Sequence, residues 1–240
     1  MNDTQSALKE IRAALERDSR INIHKNPISL NFEGDTLVAE GEVGSIAAKR
    51  LALKAIASFA VRQVEDRLHV APAERREDGA IRDSLIAAFT GDSSFHNCTV
   101  AIWNKSHFDP VNDARAETPC FLNIVAEDGV VSLTGEVISL SHKRLAKLMA
   151  WWVPGVCDVV DYLKVVPPEE DTDDEITDAI RLALAKDPLV HAEQIRVSTR
   201  GGVVTLEGVV REQTERQMAE DDVWYLSDVD SVNNQIQVQG

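Results

Sequence analysis

Hydrophobic positions along this chain change period in a fixed order, and the order occurs three times. A helical stripe comes first, at Leu8, Ile11 and Leu15, again at Ile81, Leu85 and Phe89, and again at Ile176, Ile180 and Leu184. Two β-rich runs follow each stripe: 28–32 and 37–43, 122–126 and 130–137, 195–199 and 203–210. Their connections, Glu33-Gly34-Asp35, Glu127-Asp128-Gly129 and Arg200-Gly201-Gly202, supply the Gly that a hairpin turn with positive φ favours. A second helical stripe then appears at Leu51, Ala55 and Phe59, at Leu145, Leu148, Met149 and Trp152, and at Met218 and Leu226. Short alternating runs at 64–70, 159–165 and 232–238 close the three units. The pattern predicts an α+β protein of three tandem helix–strand–strand–helix–strand units, at 1–72, 73–168 and 169–240. Each unit should form a three-stranded mixed sheet with two helices on one face and a right-handed crossover between its last two strands.

Glycines recur with the pattern. Gly41, Gly135 and Gly208 fall inside the second strand of each hairpin, where Gly marks a bulge or the close approach of another backbone. Gly129, Gly155 and Gly202 fall at turns, so all six are expected to be structural. Thr172 followed three residues later by Glu175 is a capping-box pattern at a helix start. The acidic run Asp173-Asp174-Glu175 then reads as a solvated, dipole-matched helix start or as a divalent-cation site without EF-hand spacing.

The middle unit carries extra chain at about 95–119. Cys98-Thr99-Val100-Ala101-Ile102-Trp103 reads as an added strand, and Asn104-Lys105-Ser106-His107-Phe108-Asp109-Pro110 as a loop. His96, Cys98, His107 and Cys120 gather there and could make a tetrahedral metal site, although their spacing matches no zinc-finger pattern. The competing reading is partly buried thiols with surface histidines. Helical spacing places Trp152 on the core stripe and Trp151 nearer the edge, which makes Trp151 a candidate contact residue; Trp103, at the end of the added strand, is a second candidate.

Charge narrows the partners. The 240 residues carry a net charge of −15, with Lys plus Arg against Asp plus Glu at 10 to 10, 9 to 13 and 6 to 17 in the three units. Phosphate backbones and anionic membrane surfaces should repel such a chain, so nucleic-acid binding is not expected. Three cysteines without CxxC spacing argue against a disulfide framework and agree with a reducing compartment. The absence of a basic-then-apolar start or a long apolar run suggests a cytoplasmic protein without a transmembrane segment. No GxSxG, P-loop, dinucleotide glycine fingerprint or HExxH is present, which predicts no enzymatic activity and no cofactor.

The residues Asp128-Gly129-Val130-Val131-Ser132-Leu133-Thr134-Gly135-Glu136-Val137, with Lys143, Ala146 and Pro154-Gly155-Val156, resemble the BON domain family. The third unit keeps Asp187-Pro188-Leu189, the run 202–210 and Asn234, but has Ser227-Asp228-Val229 in place of Pro-Gly-Val; the first unit departs furthest. The resemblance implies non-catalytic binding modules of bacterial envelope integrity and osmotic stress. Three readings follow: a protein-binding or self-assembling module, possible homo-oligomer included; a phospholipid-surface module; and a potassium-binding sensor.

Overall fold

The computed structural model describes residues 2–59, 61–112 and 120–239. The chain divides into two compact units, Met1–Pro72 and Ala73–Gly240.

In the first unit, helix α1 (Asn2–Arg17) precedes the hairpin β1 (Ile28–Glu33) and β2 (Thr36–Val43), then α2 (Ile46–Ala57) and β3 (Gln63–Val70). Strands β1 and β2 pair antiparallel and β2 and β3 parallel, giving the mixed sheet expected. Ile11 and Leu15 of α1 are buried with Leu30, Leu37, Val43 and Leu68 of the sheet. On α2 the buried stripe is Ala48, Ala52 and Ile56, with Leu51, Ala55 and Phe59 only partly buried against it. The helix is thus rotated from the expected setting, so that small Ala residues meet the sheet and the larger side chains flank the contact.

The second unit begins with α3 (Asp78–Gly91) and a short 3-10 turn at Ser93–Phe95. Next come β4 (Thr99–Asn104), β5 (His107–Pro110), β6 (Phe121–Glu127), β7 (Val130–Val137), α4 (Leu140–Trp152) and β8 (Asp158–Val165). These five strands form one sheet in the order β5-β4-β6-β7-β8. The insertion is therefore two strands: Asn104–Pro110, read as a loop, contains β5, which pairs antiparallel with β4. Strand β4 runs parallel to β6 and extends the repeat's own three strands outward. The chain continues through α5 (Asp173–Lys186), β9 (Ile195–Arg200), β10 (Val203–Val210), α6 (Gln213–Tyr225) and β11 (Ser231–Val238), whose strands form a sheet in the order β11-β10-β9.

Two devices recur in register. The first helix of a repeat holds the hairpin turn through its leading carboxylate: Asp78 accepts from the N–H groups of Asp128 and Gly129, both at 3.0 Å. Asp173 does the same for Gly201 at 2.7 Å and Gly202 at 3.2 Å. Thr172 caps the same helix by accepting from the Glu175 N–H. The acidic run thus holds a turn and starts a helix.

The second device lies between the second helix and the closing strand. Asp66, Asp161 and Asn234 each accept from the N–H two residues on along the closing strand. A basic side chain reaches each of these places from the helix: Lys49 to Asp66 at 3.0 Å, Lys143 to the Leu163 carbonyl at 2.8 Å, and Arg216 to the carbonyls of Asn234 and Ile236 at 2.9 and 3.0 Å.

Candidate functional site

Two places in the second unit gather chemistry. The first is the face of the five-stranded sheet opposite α3 and α4. Val100, Ile102, Leu122 and Ile124 point to the helices and are buried, so strand alternation puts their neighbours on the other face. Trp103 and Phe108 are cross-strand partners there, with ring centroids 5.1 Å apart in edge contact. Phe121 and Phe108 are each 37% exposed, and Tyr162 on β8 is 64% exposed. Trp103 thus packs with Phe108 on the same face of the sheet as Phe121 and Tyr162.

The second place is where the helices of the two repeats pack. Trp151 lies only 7% exposed and stacks on Tyr225 of α6, with centroids 5.4 Å apart and planes inclined by 21°. Trp152, expected on the core stripe, is the less buried of the pair and donates its indole N–H to Asp222 Oδ1 at 2.8 Å. The expected setting is reversed because α4 faces both its own sheet and the helices α5 and α6. Arg144, 2% exposed, reaches Asp171 at 2.5 Å and Asp228 at 3.5 Å. Lys186 at the end of α5 meets Asp92 at 2.6 Å.

A cavity of about 360 Å³ opens at this junction, lined by Trp152, Asp187, Pro188, Leu189, Met218, Asp221, Asp222 and Tyr225. Burial raises the Asp222 carboxyl to about 8, against the pull of the Trp152 N–H and aided by the neighbouring charges of Asp187 and Asp221. Asp221 is raised to about 6, again chiefly by burial. Burial beside both carboxylates pushes the Tyr225 phenol upward as well.

The four candidate metal ligands do not form a site. Cys98 and Cys120 are joined in a disulfide, which removes both thiolates and corrects the expectation of unpaired cysteines. His96 is exposed, and His107 turns to Ser106 at 3.0 Å and Asp109 at 2.6 Å. Among the described residues no group of three or more His, Cys, Asp or Glu is placed to hold a metal ion.

The six glycines lie where the backbone needs them. Gly41, Gly135 and Gly208 have φ of +143°, +132° and +152°, and a Cβ on each would lie 2.6, 2.1 and 2.0 Å from the carbonyl oxygens of Pro27, Phe121 and Gln194. Gly129 and Gly202 are the turn residues held by Asp78 and Asp173. Gly155 lies against Arg76 and Ile81. Sequence reading passed over the junction cavity, whose walls come from three separated stretches. It also passed over the basic clamps, although Lys49, Lys143 and Arg216 precede Asp66, Asp161 and Asn234 by nearly constant spacing.

No helix of the described residues is long and apolar enough to cross a membrane. Over 124 residues the chain is 30% identical to osmotically-inducible protein Y of Escherichia coli (strain K12), an alignment covering 49% of this chain and 62% of that protein. The chain thus matches less than two thirds of that relative. Among solved structures it is similar to the C-terminal domain of CdsD, the structural protein of the type III secretion system of Chlamydia trachomatis, at 11% identity and a TM-score of 0.26, over 96% of each chain. A second structure of CdsD matches at 12% identity and a TM-score of 0.25, over 97% of this chain and 91% of that one. The BON domain model matches residues 115–167 and 172–240, which together make up just over half of the 240 residues. With that match and the repeated helix–strand–strand–helix–strand order, the chain belongs to the BON domain family.

Proposed function

We propose that this chain is a non-catalytic BON-domain module of the stress or envelope response that assembles with a second copy of itself through the open face of its middle sheet. The observation that carries this reading is that the Trp103–Phe108 pair, Phe121 and Tyr162 all lie on that face, with Phe108, Phe121 and Tyr162 exposed. Aromatic side chains supply large contact area at low entropy cost and are enriched at interface centres. The net charge of −15 opposes approach of two copies at low salt. Salt shortens the range of that repulsion, to a Debye length of about 3 Å at 1 M, while leaving the apolar contact intact. Assembly through this face should therefore strengthen as ionic strength rises, which suits a relative of an osmotically-inducible protein.

Sedimentation velocity across a protein concentration series at low and high sodium chloride tests this reading. Dimer populated at high salt and lost in Trp103→Ser with Tyr162→Ser is the expected result. A chain that stays monomeric at both salts, or a variant that dimerises like the parent, overturns it. Liposome flotation with neutral and anionic vesicles separates a lipid-facing role, and melting in potassium against sodium separates a potassium sensor. The Cys98–Cys120 disulfide supports an oxidising compartment for this module over the cytoplasm suggested by cysteine spacing, because such bridges persist where thiols are not kept reduced.

A further inference from the structure

We propose that the cavity between the second and third repeats is a binding site for a small organic cation of the alkylammonium class. Three features converge. Asp222 is 2% exposed and lines the cavity, and among the described residues the only donor within reach of its Oδ2 is a proton shared with the Asp187 carboxyl. Its other oxygen is held by the Trp152 indole N–H, which fixes the direction of the carboxyl group. Asp187, 8% exposed, acts on Asp222 both through its charge and through a side-chain hydrogen bond, so two buried carboxyl groups facing one space share a proton that a bound cation can replace. Such a pair needs either a shared proton or a positive charge between them.

The walls decide which kind of positive charge. Trp152 and Tyr225 bring aromatic rings, and Pro188, Leu189 and Met218 bring apolar surface. A metal ion is disfavoured because, among the described residues, no three His, Cys, Asp or Glu are placed to hold one, and the rest of the lining is apolar or aromatic. An alkylammonium has a charged centre for the carboxylates and a greasy periphery for the rings, the combination that aromatic cages recognise. About 360 Å³ lies within the range of small-ligand pockets, roughly 300–1,000 Å³. Trp151 stacked on Tyr225 and the Trp152–Asp222 hydrogen bond hold the walls in place from either side.

The chemistry imposes a pH signature. The titratable groups facing Asp222 are Asp187 at the end of α5 and Asp221 and Tyr225 on α6. Since burial holds Asp222 protonated up to about pH 8, a bound cation must displace that proton. Affinity should fall up to about tenfold for each pH unit below 8.

Calorimetric titration of the full chain with tetramethylammonium chloride at pH 6.5, 7.5 and 8.5, against potassium chloride at matched ionic strength, tests the site. Saturable binding is expected at pH 8.5, weakening toward pH 6.5 and absent with potassium. Asp222→Asn keeps an acceptor for Trp152 and should abolish binding. Leu189→Trp fills the cavity from an exposed position, leaves the carboxyl groups untouched, and should also abolish it. Absence of saturable binding at pH 8.5, equal binding in either folded variant, or equal competition by potassium overturns the proposal.

Discussion

Replacing Gly208 by Ala tests whether close backbone approach, and not turn flexibility, explains the glycine repeated in the second strand of each unit. Gly208 pairs with Ile195 across β10 and β9, and its Cβ would sit 2.0 Å from the Gln194 oxygen and 3.2 Å from Ile195 Cα. Real Cβ contacts stay beyond 3.0 Å, so the two strands must part by about 1 Å at this point. A φ of +152° adds the strain of a region that only Gly occupies freely, about 1–3 kcal/mol. Loosening one or two ladder hydrogen bonds costs about 1 kcal/mol each. Together these give about 2–5 kcal/mol, or a fall of about 10 °C in the melting temperature of a unit of this size. Gly201→Ala is the control: its φ is +55°, nothing lies within 4 Å, and the expected cost is about 1–2 kcal/mol. Scanning calorimetry of both variants reads the difference. Equal melting temperatures for the two, or less than about 1 kcal/mol lost in Gly208→Ala, would refute the close-approach argument.

Other outcomes follow from the junction and the insertion. Asp171→Asn with Asp228→Asn leaves the buried Arg144 guanidinium without counter-charge and should cost about 3–5 kcal/mol by urea denaturation. Arg144→Met should cost less, because both carboxylates are partly exposed and regain water. Reducing Cys98–Cys120, or replacing both by Ser, frees a loop with a sequence separation of 22 and should cost about 3 kcal/mol, seen as a lower melting temperature in reductant. Asp222 binds its proton more tightly folded than unfolded, so the stability it contributes is lost as pH rises from about 4 through about 8. Urea midpoints should therefore decline over that window, and Asp222→Asn should flatten the slope.

The hairpins and helices were legible because period and turn chemistry are local properties of the residues. The side of a helix that meets the sheet was less so: Ala48 and Ala52 look weaker than Leu51 and Phe59 by hydrophobicity, yet small size is what permits close approach. On α4, two apolar surfaces compete, one for the sheet and one for the neighbouring repeat, and hydrophobicity cannot rank them. Strand β5 contains His107, Asp109 and Pro110, residues that read as loop; its partner β4 makes it a strand. The cavity depends on Trp152, Asp187 and Asp222 meeting across the packed helices, a long-range juxtaposition that spacing does not encode.

The insertion also bears on the route by which the middle repeat closes. Joining the Asp78 carboxylate to the turn at Asp128 spans 50 residues, whereas the equivalent closure from Asp173 to Gly201 in the third repeat spans 28. Longer spans carry a larger entropic toll and slower contact formation. The Cys98–Cys120 bridge removes 22 residues from the longer path, leaving a span equal to that of the third repeat. Once oxidised, the middle repeat closes over the same contour as its uninterrupted neighbour, and the two halves of the unit reach their turns on comparable terms.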